Sequence, residues 1–143
     1  LDFTFILCYY CNMLKDKINF WLESSDKDFE VATGLFDLGH YPQSLFFCHL
    51  AIEKLLKGLI LKHTKQGPPF SHDLQKLALL AGLEINKKDA DTLNEISSFN
   101  IAGRYGDEKF AFYKKFNKKD KAKKYLSLTK ELLVWLKKES LKK

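Results

Sequence analysis

The chain has 143 residues, 45% of them hydrophobic and 29% charged, a composition that suits one globular domain with a single core and is short for two. Only 3 Pro and 7 Gly occur, which excludes a disordered or collagen-like chain, argues against a turn-rich β-sandwich and leaves long helices as the natural reading. The net charge is +6, yet of the 24 basic residues only Arg104 is an arginine, so the planar fork that grips phosphate or carboxylate through paired donors is available at one position.

Residues 1–12 (LDFTFILCYYCN) are apolar and aromatic, and amphipathic patterning begins only after Met13. They are too short to span a bilayer and lack the basic region and small-residue cleavage site of a secretory signal. They read as an extension upstream of a natural start at Met13, foreign to the domain proper, which then covers 13–143. The alternative is an apolar arm that packs on a partner subunit. Cys8 and Cys11 form a C-x-x-C, but no second pair completes a zinc site and no βα context surrounds it. With Cys48 as an odd third, a reduced, cytoplasmic protein without metal or cofactor is expected.

From 15 to 38, Ile18, Trp21, Leu22, Phe29, Ala32 and Phe36 recur at steps of three and four, which predicts a helix with one buried stripe, ended by Gly39. Pro42 fits the first turn of a second helix running to about residue 65, apolar on nearly every side and expected to be the most buried element. Gln66-Gly67-Pro68-Pro69 breaks it. Ser71 then offers an N-cap and Asp73 an acidic first turn for a short third helix over 73–81. A fourth helix is predicted over 87–99 and a last one over 118–138. Residues 100–117 lack a clear period and read as an ordered loop with one helical turn at most. The sum is an all-α, antiparallel up-down bundle of four to five helices.

Three constellations could carry chemistry. His49, Glu53 and Lys57 are four residues apart on the second helix and share one stripe, with Lys54 beside it. The first reading is an i,i+4 ion pair on the least buried edge of the helix; the second is a polar pocket or interface facing a phosphate-bearing ligand. His72 and Asp73 open the third helix, where capping is the plain account and a ligand contact the alternative. The segment Asn100 to Asp107 puts Arg104 between two glycines and beside Tyr105, which offers a stacking face. Nucleotide or RNA contact and an ion-pair clamp within the bundle or to a second subunit weigh equally there. The many lysines near the C-terminus, from Lys114 to Lys124 and again from Lys137, read first as a solvated helix face and second as a nucleic-acid footprint. No P-loop, dinucleotide fingerprint, nucleophile elbow or acid/base carboxylate pair is present, so no catalytic residue is assigned.

The residues after Met13 resemble the HEPN domain. The likeness is carried by Gly39-His40-Tyr41-Pro42, by Ala51-Ile52-Glu53-Lys54-Leu55-Leu56-Lys57, by Ser71-His72-Asp73-Leu74 and by Arg104-Tyr105. It implies an all-α bundle, commonly a homodimer and often encoded beside a small nucleotidyltransferase as a toxin–antitoxin-like pair in bacteria and archaea. Some members are metal-independent ribonucleases that use an arginine followed four to six residues later by a histidine. Here no histidine lies beyond His72, so that motif cannot form. The non-nucleolytic branch, whose late loop reads Arg-Tyr-Pro, is closer, with Gly106 in place of the proline. The resemblance therefore points to a module that binds a nucleotide or nucleic-acid phosphate through Arg104 and Tyr105, with Glu53, Lys54 and Lys57 lining the pocket or dimer seam. A divergent ribonuclease using His49 or His72 is the first alternative, and a dimerisation scaffold without ligand the second.

Overall fold

The computed structural model describes residues 2–101 and 105–142. Six helices follow in order: α1 (Phe3–Asp37), α2 (Tyr41–Thr64), α3 (Leu74–Leu80), α4 (Lys87–Ser97), α5 (Asp107–Phe116) and α6 (Lys119–Leu141), with no strand among the described residues. The fold is an all-α bundle around α2, whose apolar residues leave no solvated face, so other elements must cover it.

The α1–α2 pair is antiparallel and close. Ser25 Oγ–H donates to the carbonyl of Ala51 (2.6 Å) and Ser44 Oγ–H to that of Ala32 (2.7 Å), two buried crossings in which one residue number rises as the other falls. Small residues permit this approach: at Gly58, an added Cβ would stand 3.0 Å from Trp21 Cβ. By the same register the residues of α1 before about position 12 have no counterpart on α2, and residues 2–13 are exposed. α6 runs parallel to α2, with Thr129 against Cys48 and Ser140 against Lys62. α4 runs opposite to α6, tied by a hydrogen bond from Tyr125 Oη–H to Glu95 (2.7 Å). The long helices thus alternate in direction, and the short α3 and α5 are inserted between them.

Two boundaries differ from the sequence expectation. The first helix starts at Phe3, twelve residues before 15, because an unbroken apolar run contains no helix stopper even though it shows no amphipathic period. The segment 100–117 holds a ten-residue helix, α5, in place of the expected loop. Phe112 and Phe116, one turn apart, are buried in an aromatic cluster with Phe99 (ring centroids 5.9 and 5.0 Å), and this tertiary packing secures the helix.

Candidate ligand site on the second helix

Residues four apart on α2 stack on one stripe, and that stripe is buried: His49, Glu53 and Lys57 all lie inside. The expected i,i+4 ion pair is present, between Lys57 and Glu53, but it is buried and does not lie on the least buried edge. A helix apolar all round gives no hint of which side its neighbours will cover, and here α1 and the linker between α2 and α3 close over the polar stripe. The linker does so because Lys65 ends α2 in a left-handed conformation (φ 61°) and Gly67-Pro68-Pro69 cannot continue a helix, which sends the chain back along α2.

Glu53 is the centre of the cluster. Its carboxylate, 5% exposed, accepts a hydrogen bond from His72 Nδ1–H at 2.5 Å and faces Lys57 Nζ at 3.9 Å. A carboxylate can only accept, so the proton sits on Nδ1 and Nε2 is left without a protein partner among the described residues, on a ring whose side chain is 63% exposed. The Lys57 ammonium also lies 5.9 Å from the Trp21 ring centre, a cation–π contact that adds to its pairing. Lys54 turns the other way, to Asp28 on α1 at 2.6 Å.

His49 is completely buried. Its Nε2–H donates to the His72 carbonyl at 3.1 Å, which fixes the backbone of the residue that reaches Glu53, while Nδ1 has no partner among the described residues. Burial, reinforced by the nearby His72 and Lys57, pushes its pKa down to about 3, so it is neutral at physiological pH. Asp73 caps α3, its side chain accepting from Lys76 N–H at 3.1 Å, and Ser71 Oγ accepts from Asp73 N–H. The N–H of Leu74 donates to Ser97 Oγ at 3.0 Å, so the Ser71–Leu74 segment is tied to the end of α4, from which residues 98–106 depart. Phe99 and Ile101 anchor the start of that segment in the core, and Tyr105 at its end is exposed. Arg104 lies outside the described residues.

Chemically, the cluster is a buried carboxylate orienting an imidazole whose other nitrogen is left free, a donor to a phosphate oxygen when the ring carries both protons. Among the described residues no group of three or more His, Cys, Asp or Glu side chains gathers as a metal site. Two larger clefts lie elsewhere: one of about 610 Å³ between the first half of α1 and residues 61–68, and one of about 740 Å³ where α2, α3 and α6 end. Volume favours those clefts and chemistry favours Glu53–His72. Chemistry is the better guide, because the first cleft is mostly apolar and lysines of the second are already engaged, Lys62 with the Ser140 carbonyl and Lys142 with Glu139.

Asp28 was missed in the sequence. The signal was there: Trp21, Ser25, Asp28 and Ala32 follow at steps of four, three and four, the spacing of a helix–helix seam, with polar residues in two seam positions.

An α-helical bundle with a polar cluster on its central helix is the class that these features define. The family model of the HEPN domain matches residues 18–140, and the chain belongs to that family. A search of curated proteins finds no match. Among solved structures, TT1696 from Thermus thermophilus is similar in fold, with a TM-score of 0.68 at 22% identity, over 87% of this chain and 98% of that one.

Proposed function

We propose that this chain is a non-catalytic HEPN module that holds a nucleotide or nucleic-acid phosphate where the Glu53–His72 pair meets the 98–106 segment. In this reading it is a homodimer that acts with a separate minimal nucleotidyltransferase as a toxin–antitoxin-like pair in the prokaryotic cytoplasm. The observation that carries the binding site is the Leu74–Ser97 hydrogen bond, which ties the His72 segment to the stem of the one carrying Arg104 and Tyr105. His72 Nε2 then supplies one contact, Arg104 a paired donor and Tyr105 a stacking face, with Glu53, Lys57 and His49 holding His72 from beneath. Lys54 is committed to Asp28 and Asp73 to its cap, so in this reading both position the site and neither touches the ligand. The partner, the dimer and the setting rest on the family resemblance. Its test is calorimetric titration with nucleoside mono-, di- and triphosphates, in parallel on Arg104→Ala. Saturable binding that the substitution weakens by about 1.5 kcal/mol or more, the scale of a charged hydrogen bond, is the expected result. Absence of binding in both proteins would overturn it.

A second reading has one observation behind it. An imidazole oriented through Nδ1 by a carboxylate is the arrangement of a general base, so in a divergent ribonuclease His72, and not the buried neutral His49, would take the proton. RNA cleavage by nuclease-free protein, lost in His72→Ala, would establish it in place of the first.

A further inference from the structure

Residues 109–124 contain eight lysines and a single acidic residue, Asp120, a net +7 in a chain whose total is +6. The remainder of the protein is thus close to neutral, and its whole positive excess stands at one place, the corner where α5 ends at Phe116 and α6 begins at Lys119. The corner is held from inside by Phe112, Phe116 and Ala122, all buried, which obliges the lysines between them to face outward. Among the described residues none of these eight lysines has a carboxylate within ion-pair distance. Several lie instead near aromatic rings, Lys115 at 5.2 Å from the Phe116 centre and Lys124 at 5.3 Å from that of Tyr125. Four residues before Lys114, on the same side of α5, the Phe110 ring is open to solvent at 69% exposure.

Like charges crowded within a Debye length repel one another, and a polyanion relieves that repulsion while releasing its own counterions. Among polyanions, one with flat bases uses the open ring as well: base–aromatic stacking beside a lysine track is how single strands are held without sequence preference. A membrane surface fits less well, because Phe112, Phe116 and Ala122 are spent in the core and Phe110 alone makes no continuous apolar face to insert at the corner.

We propose that the α5–α6 corner is a docking surface for single-stranded nucleic acid, RNA or DNA, with phosphates on the lysines and a base stacked on Phe110. It lies on residues separate from the Glu53–His72 cluster, so it stands or falls independently of the nucleotide site and is unaffected by a negative calorimetric result there.

The test is fluorescence anisotropy with labelled 20-nucleotide uridine and thymidine oligomers between 50 and 200 mM salt. The account expects binding to at least one of them, with affinity falling steeply as salt rises, by a log–log slope of about −0.7 per phosphate contacted. Changing Lys114, Lys115, Lys118 and Lys119 together to Gln should weaken binding roughly tenfold or more and flatten the slope. Changing Lys15, Lys76, Lys87 and Lys88 to Gln, an equal loss of charge elsewhere, should leave it within about twofold. Phe110→Ala should weaken it severalfold at fixed salt, with the helical circular dichroism of every variant unchanged. Failure to bind either oligomer would overturn the proposal, as would equal loss in the two quadruple variants. So would inorganic polyphosphate or phosphatidylserine vesicles binding better than the oligomers and remaining insensitive to Phe110→Ala.

Discussion

The charges on α2 and those on the α5–α6 corner obey opposite rules. On α2, Glu53 and Lys57 are buried, and each has partners within reach, His72 and Trp21 included. At the corner, eight lysines are crowded together on the solvent side with one carboxylate among them. A charge withdrawn from water must be matched by its neighbours, whereas an exposed charge is matched by water and salt. Buried charge therefore positions other groups, and exposed unmatched charge is left to attract something from outside.

Substitutions sharpen that contrast in a definite order. Glu53→Ala leaves a buried lysine uncompensated and an imidazole unanchored, and should cost about 3 to 5 kcal/mol in urea unfolding, whereas Lys118→Gln at the corner should change stability by about 0.5 kcal/mol or less. Equal effects at the two positions would dissolve the distinction.

His49 gives the next largest effect. Its folded pKa, about 3, lies below the ordinary 6.5, so its contribution is fully present above pH 6.5 and is lost as pH falls toward 3, where only the unfolded chain takes up the proton. Stability should fall by about 1.4 kcal/mol for each pH unit inside that window, and His49→Gln should remove this component of the slope. A pH profile identical in the two proteins would show that His49 is not held neutral.

Gly58→Ala would force a Cβ against Trp21 Cβ, at 3.0 Å, and lift α1 from the Lys57 stripe; about 1 to 3 kcal/mol is expected from thermal unfolding. The smallest effect on the α2 side belongs to His72→Ala, about 1 kcal/mol, because the ring is largely exposed and its removal opens the Glu53 carboxylate to solvent.

The same contrast explains what could be read in the sequence. The limits of α2 and α3 and the start of α4 were legible because Pro42, Gly67-Pro68-Pro69, Gly82 and Asn86 punctuate them chemically. α5 was not, since Phe110 and Tyr113 stand beside Phe112 and Phe116 and blur the four-residue step that the core uses. The residues of the polar cluster were legible as a stripe, but their burial was not: on a helix apolar on every side, only the positions of α1 and of the returning linker decide which stripe is covered. His72 came into view as a capping-segment residue, while its bond to Glu53 depends on a reversal of the chain that no local pattern specifies.

The most direct test of the binding site is a series of proton–nitrogen correlation spectra recorded while a nucleoside triphosphate is added to the full chain. The account predicts saturable shifts in the backbone amides of residues 71–74 and 97–106, with the far ends of α2 and α3 unmoved. Amides that stay still throughout, or shifts confined to residues 59–65 and 81–84 at the opposite cleft, would contradict it.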